Sequence, residues 1–296
     1  MAEVHPVEPA PSLPRATWEL VRDAVGCFIS NDGPSRAASI AYYTLFSIAP
    51  VLLITIAIAG IAFGRDAAQG AIVAQLSGMM GHKTAEALQS LVTSAWHSDD
   101  DVFATILAVV LLVISATAVF GEVQTALNVI WKAAPRRPSG SIVSRLLRAR
   151  LASIGVVIAC GFVLTVSLAA SAALAAVSKY LAIVFPTAQI ALQAVDVGLS
   201  LLLISGIFAA MYKVLPDTPI AWRDVAVGAV LTTVLFQAGK YGIALYVASS
   251  DPASSFGAAG ALIVFLVWVY YSALIFLLGA ELTRAWARRW GSKQSE

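Results

Sequence analysis

The sequence predicts an all-α polytopic membrane protein: six transmembrane helices, both termini in the cytoplasm, and short amphipathic helices on both faces of the membrane. Composition is the first observation, because 59% of the 296 residues are hydrophobic and only 12% are charged. A soluble domain has roughly 25% charged residues. The other two observations are a series of long apolar stretches and an uneven distribution of Lys and Arg between them.

The apolar stretches have the length of membrane spans. The first runs for 25 residues without a charged side chain. As a helix rising about 1.5 Å per residue, it reaches about 37 Å and crosses a hydrocarbon core of roughly 30 Å with some tilt. Two later stretches each contain one charged residue. The six predicted spans are 39–63, 102–121, 151–178, 190–212, 225–249 and 256–280.

Lys and Arg predict the orientation of these spans. Fifteen of the 19 lie in segments that share a side with the N-terminus, whereas the opposite segments hold only Arg65, Lys83 and Lys179. Positive residues are retained in the cytoplasm, so both termini are expected there. The formal charge of +2 therefore reflects topology and does not indicate nucleic-acid binding. With no apolar segment before residue 39, the first span is expected to act as an uncleaved anchor.

The segments outside the spans divide the chain further. Residues 1–38 form a cytoplasmic segment, 39–283 the membrane domain and 284–296 a basic tail. Apolar residues at helical spacing (Trp18, Val21, Val25, Phe28, Ile29) predict an amphipathic helix in the cytoplasmic interface. Residues 64–101 are expected to form an external cap of two helices broken near Gly81, which either packs on the bundle or gates it. Residues 122–150 form a basic cytoplasmic loop.

Two charged residues fall where a bilayer should exclude them. Asp196 lies in span four and Lys240 in the outer half of span five. An isolated charge at such a depth costs at least about 2.5 kcal/mol and is normally paired or exposed to a wet cavity. We expect the two to face one another or to share a cavity. The alternative is that Asp196 reaches the interface and Lys240 snorkels along its aliphatic stem.

Other polar residues mark an inner-face cluster and a mid-span aromatic group. Glu281 and Arg284 end span six at a spacing that permits a local ion pair, or they simply anchor the helix end. The mid-span aromatics carry polar tips that need partners, either a substrate or a buried hydrogen-bond network. The inner-face cluster is Tyr42, Tyr43, Glu122, Asn128, Glu281 and Arg284, and the intramembrane set is Asp196, Lys240, Trp268, Tyr270 and Tyr271.

Enzymatic chemistry is not indicated. The three histidines (His5, His82, His97) are widely spaced, and His5 is predicted on the other side of the membrane, so no metal site is expected. Nucleophile, P-loop and dinucleotide signatures are missing from the sequence. Neither Cys27 nor Cys160 implies a disulfide. We therefore expect no enzyme activity and no cofactor, and reject a nuclease.

Several motifs resemble a known family. They are RAASIAYYTLFSIAP from Arg36, ALNVIW from Ala126, YKVLP from Tyr212, GAAG from Gly257, VWVYYSA from Val267 and GAELTR from Gly279. In this order, and over roughly residues 15 to 290, they resemble the YihY/BrkB family of bacterial inner-membrane proteins. The resemblance implies six helices with cytoplasmic termini, and a link to serum resistance and to export of lipopolysaccharide precursors.

Two functions from different classes follow. The first is a transporter or flippase that moves a lipid or another amphiphile for envelope biogenesis, along a partly polar groove between helices. The second is a structural or assembly factor that binds other envelope proteins without moving a solute. The expected partners are membrane lipids together with an amphiphile substrate, envelope proteins or a second copy of the chain. Nucleic acid is not expected as a partner.

Overall fold

The computed structural model describes residues 13–96, 118–133, 188–250 and 252–293. Every regular element in those ranges is an α-helix, which confirms the predicted all-α fold class. The helices of the described ranges are α1 (Leu13–Ser30), α2 (Gly33–Phe63), α3 (Arg65–Met80), α4 (His82–Trp96), α5 (Ala118–Ile130), α6 (Ala188–Val214), α7 (Trp222–Ser250) and α8 (Pro252–Arg289).

Three helices of the described part are long and apolar enough to cross a membrane, over Val197–Val214, Trp222–Ile243 and Gly260–Arg289. They correspond to the predicted spans four, five and six, and the chain is a polytopic membrane protein. Helix α2 runs through the whole predicted first span. The predicted span 151–178 and most of 102–121 lie outside the described residues, as do Cys160 and the greater part of the basic loop.

Helix α8 is the centre of the fold. It has 38 residues and is therefore about 57 Å long, well beyond the roughly 30 Å of a hydrocarbon core. It packs against α1, α2, α4 and α7. The apolar stretch ends at Ala280, but the helix continues to Arg289 because good helix formers such as Glu, Leu, Ala and Arg follow. The predicted boundary between membrane domain and tail, at 283, thus falls inside α8.

The core has two main clusters along α8. The one near its C-terminus lies at what we call the basic end of the bundle, defined by Lys132, Arg284, Arg288, Arg289 and Lys293. This cluster joins α2, α5, α6, α7 and α8 through side chains that include Ala37, Leu127, Tyr212, Val225 and Leu277. The other cluster joins α2, α3, α4 and α8 through side chains that include Ile56, Ala68, Leu88 and Phe265.

Helices α7 and α8 cross closely because glycine faces threonine at two points. A Cβ at Gly228 would overlap the Thr283 hydroxyl, and a Cβ at Gly279 would overlap the Thr232 hydroxyl. Each hydroxyl donates a hydrogen bond to a carbonyl oxygen of its own helix, Thr232 to Gly228 at 2.7 Å and Thr283 to Gly279 at 2.6 Å. Small residues of this kind let helix backbones approach where lipid supplies no hydrophobic drive.

The predicted amphipathic segment is helical over Leu13–Ser30. Its buried side, Ala16, Leu20 and Ala24, includes two residues that pack against Leu282 of α8. Its exposed side chains include several apolar ones, Trp18 among them at 69%. An exposed indole beside a buried opposite face fits a helix at an interface, although its position relative to a membrane remains a prediction.

The break between the two cap helices is at Gly81, as the sequence predicts. Gly81 adopts a φ of 86°, a conformation that side chains avoid, and it ends α3 before α4 begins at His82. Ala68 of α3 and Leu88 of α4 are buried in the second core cluster. The pair therefore packs on α2 and α8.

Candidate functional site

A carboxylate is buried at the basic end. Glu281 is 2% exposed, and its Oε1 accepts a hydrogen bond of 2.6 Å from Nδ2 of Asn31. Asn31 lies at the corner between α1 and α2, where Nε of Arg36 donates to its carbonyl oxygen at 3.0 Å. Because a buried carboxylate is costly unless it is hydrogen-bonded, this contact holds the α1–α2 corner against α8.

A cation is buried beside it. Arg284 lies one turn further along α8 and is 8% exposed. The predicted inner-face pair is thus buried on one helix, but the hydrogen-bond partner of Glu281 is Asn31. Within the described part of the chain, the Arg284 guanidinium forms no hydrogen bond and no ion pair. Its N–H groups are therefore unused donors. Burial of a guanidinium without an acceptor is unfavourable.

Asn128 lies in a separate clamp. Its Nδ2 donates to Oδ2 of Asp217 at 2.8 Å, and its Oδ1 accepts from the Asp217 backbone N–H at 2.8 Å. The amide of Gln124 adds a longer contact of 3.4 Å to the same carboxylate. The clamp fixes the end of α5 to the connection between α6 and α7. Glu122 is half-buried on α5, about 9 Å before Asn128 along the helix axis.

A third polar contact holds the residues that follow α8. Asp224, in the first turn of α7, is fully buried. Its Oδ2 accepts hydrogen bonds from Ser292, from Oγ at 2.6 Å and from the backbone N–H at 3.2 Å. A carboxylate in the first turn also suits the positive end of the helix dipole. The residues after α8 are therefore packed against α7.

An ion pair ties α1 to the same region. Nη2 of Arg289 donates to Oε2 of Glu19 at 2.7 Å. This hydrogen bond, with the positive charge of Arg289, holds the pKa of Glu19 below its usual value. A lowered folded-state pKa means that the pair contributes above the ordinary pKa of a glutamate and is lost as pH falls through the lowered value. Both side chains are part-exposed, so the contribution is small.

Two cavities lie at the basic end. One, of about 360 Å³, lies between α1 and α8, next to Glu281, Asp23 and Cys27. The other, of about 370 Å³, is lined by Trp131, Lys132, Thr218, Arg284, Arg288 and Lys293. Arg284, Arg288 and Lys293 line both cavities. The arrangement offers many hydrogen-bond donors and positive charges in a confined space.

The predicted Asp196–Lys240 pair stays a prediction. Asp196 lies on α6 and Lys240 on α7, but the Asp196 side chain lies outside the described part of the structure. Oγ of Ser205 donates to Oγ1 of Thr233 at 2.9 Å, which sets the register of the two helices. From that bond, Asp196 and Lys240 lie about 13 and 11 Å away toward the same end. Lys240 Nζ lies 5.7 Å from the ring centroid of Tyr241.

The mid-span aromatics of α8 pack against α7. The ring of Trp268 meets Phe236 edge-on at 6.2 Å between centroids. Tyr271 lies against Gly239, where a Cβ would overlap its ring. Tyr270 is half-buried and contacts both main core clusters. These contacts favour a packing role for the mid-span aromatics.

The two tyrosines predicted near the inner boundary are exposed on α2. Tyr42 is 57% exposed and Tyr43 is 38% exposed. Tyr42 makes edge contacts with Tyr43 at 5.7 Å and with Phe46 at 5.1 Å. The structure thus places them on the surface, apart from buried Glu281, as an aromatic belt requires.

Several polar residues of the basic end are missing from the sequence-based site: Asn31, Trp131, Asp217 and Asp224. Of these four, only Trp131 belongs to one of the family motifs quoted above. All four lie outside the predicted spans, within ten residues of one, on the side rich in Lys and Arg. Polar side chains at that position are the signal that points to them.

Comparison with known proteins identifies the family of this chain. The chain is 30% identical over 270 residues to a UPF0761 membrane protein of Rhodospirillum centenum, covering 89% of this chain and 56% of that protein. It is 29% identical over 272 residues to one of Azotobacter vinelandii, covering 89% and 62%. It thus spans little more than half the length of these relatives. No solved structure matches it. The virulence factor BrkB profile matches residues 24–296, and the chain belongs to that family.

Proposed function

We propose that this chain moves a lipid or another amphiphile across the membrane for envelope biogenesis. The observation that carries the proposal is the basic end, where two cavities of about 360 and 370 Å³ lie beside buried Glu281 and Arg284. An amphiphile needs a polar site for its headgroup and apolar surface for its chains. Exposed apolar side chains on α6 and α7, such as Leu202 and Leu245, supply such a surface.

We also propose that the basic end faces the cytoplasm of a bacterium and that the chain lies in the inner membrane. In support, α1 and the end of α8 meet through Glu19 and Arg289, so the two ends of the described chain share one side. The positive-inside rule assigns that side to the cytoplasm. We expect a C-terminal alkaline phosphatase fusion to be inactive and a C-terminal green fluorescent protein fusion to fluoresce. The reverse pattern would contradict this topology.

Translocation is tested on the purified chain in proteoliposomes that carry a fluorescent phospholipid. We expect dithionite to quench more than the outer-leaflet half of the signal, since movement brings inner-leaflet lipid to the reductant. Lys240→Met and Asp196→Asn are measured beside the wild type. If the two residues line the path, both variants fold but no longer move the phospholipid. Each variant lacks a charged side chain that the headgroup would contact within the membrane.

Protein-free liposomes and a heat-unfolded sample are the controls. Quenching that stops at one half with monodisperse wild type would exclude lipid movement under these conditions. The alternative function would then be favoured: a non-transporting scaffold or assembly factor for envelope proteins. Normal movement in both variants would retain the transport proposal but exclude Asp196 and Lys240 from the path.

A further inference from the structure

One of the two cavities at the basic end has a lining of a single charge sign. Lys132, Arg284, Arg288 and Lys293 surround it with Trp131 and Thr218, and none of its described lining residues is acidic. Its volume of about 370 Å³ is ample for a phosphate group. Lys and Arg at helix ends are common, since they offset the negative end of the helix dipole and anchor topology. Charge alone therefore does not make this a site.

One buried side chain with unused donors points to a ligand. Arg284 is 8% exposed, lines the cavity and has no hydrogen-bond acceptor among the described residues. The nearby carboxylate of Glu281 interacts with it electrostatically but takes its hydrogen bond from Asn31. Neither dipole compensation nor topology requires a buried donor, so Arg284 calls for an acceptor inside the cavity. Trp131 contributes to the cavity wall, and its indole N–H is enclosed.

The backbone at Lys132 belongs to the end of α5. Lys132 adopts a φ of 46°, and two hydrogen bonds close the helix as a Schellman motif, from the Lys132 N–H to the Val129 carbonyl oxygen at 3.1 Å and from the Ala133 N–H to the Asn128 carbonyl oxygen at 2.9 Å. The Lys132 side chain lines the cavity together with two arginines. Because glycine suits this left-handed position, the cation can be removed there without straining the helix end.

From this geometry we infer that the cavity binds one phosphate group, as a phosphomonoester or phosphodiester. The donors comprise two guanidinium forks and two ammonium groups, a set that suits several oxygens carrying more than one negative charge. A lipid headgroup and a water-soluble phosphate both present this chemistry. Phosphate binding does not require translocation, so a chain that moves no lipid can still bind phosphate here.

Binding is measured on the full chain in dodecyl maltoside, which contains no phosphate. Inorganic phosphate and dihexanoyl phosphatidic acid are titrated separately by calorimetry, at constant ionic strength, with acetate as the control anion. We expect saturable binding of at least one of these phosphates that raises the melting temperature. Binding of the lipid alone identifies a headgroup site, whereas equal binding of inorganic phosphate identifies a site for water-soluble phosphate.

Two variants test the location. Lys132→Gly is expected to weaken binding by about tenfold or more, because a charge-assisted hydrogen bond is lost. It should fold at least as well as the wild type, since glycine suits the left-handed backbone. Arg284→Gln should weaken binding similarly, but its burial makes folding less certain to survive. Arg22→Gln is the control, because Arg22 is exposed on α1 and lines neither cavity.

Three results would overturn the proposal. The first is no saturable binding of either phosphate to the wild type. The second is binding to Lys132→Gly with wild-type affinity. The third is equal binding of acetate, or equal loss in Arg22→Gln, either of which would indicate a general effect of charge.

Discussion

Gly279→Ala is expected to destabilise the folded protein by about 3 kcal/mol. The new methyl group would overlap the Thr232 hydroxyl and lie 2.6 Å from the Tyr212 hydroxyl oxygen. Neither group can retreat freely, because the two hydroxyls are 3.0 Å apart and Tyr212 donates to the carbonyl oxygen of Phe276 at 2.7 Å. Helices α7 and α8 must therefore separate. Reversible unfolding in mixed micelles measures the change.

Gly242→Ala is the matched control, on the neighbouring helix α7. No atom of the described residues lies within 4 Å of a Cβ at Gly242. Alanine is favoured over glycine within a helix by roughly 0.5–1 kcal/mol, so this variant should be unchanged or slightly more stable. The two Gly→Ala changes thus have opposite expected signs. If both cost the same, close packing at Gly279 is not what holds α7 to α8.

Asn31→Ala is expected to cost about 3 kcal/mol, since the carboxylate of Glu281 would lose its hydrogen-bond donor while buried. The contact is short, at 2.6 Å, and joins residues 250 positions apart. Its loss releases the α1–α2 corner from α8. Ser30→Ala is the control, because Ser30 is exposed and its hydroxyl donates to the nearby carbonyl oxygen of Cys27. That change should stay within about 0.5 kcal/mol.

A double-mutant cycle with Glu281→Gln separates the charge from the packing. With a neutral amide at 281, removing Asn31 leaves only an uncharged group without a partner and should cost about 1 kcal/mol. The coupling between the two positions is then about 2 kcal/mol. A coupling near zero would mean that Asn31 acts through the backbone of the corner and not through Glu281.

Much of the fold was predictable because membrane helices appear in a sequence as long apolar stretches. The predicted spans 190–212 and 225–249 differ from α6 and α7 by at most three residues at either end. Gly81 was predictable as a break because glycine permits its backbone conformation. The end of α8 was missed, since hydropathy falls at Ala280 while helix propensity continues to Arg289.

The site was predictable only in part, because a sequence shows which residues are polar but not which of them are in contact. Glu281 and Arg284 were found from their position at the end of span six, and Asn128 as a polar side chain of the inner face. Their environment was not predicted, since the Asn31–Glu281 contact and the Asn128–Asp217 clamp join distant parts of the sequence. Which helices touch is decided by shape, as at Gly228 and Thr283, and a single sequence does not specify that contact.

We propose that the basic end takes up a phosphate-bearing amphiphile, which the chain then moves. The most direct measurement compares movement of a fluorescent phospholipid in proteoliposomes of wild type, Lys132→Gly and Arg22→Gln. We predict movement in the wild type and in Arg22→Gln, and a loss of about tenfold in folded Lys132→Gly, in proportion to its weaker phosphate binding. Equal rates in the wild type and Lys132→Gly would contradict the claim.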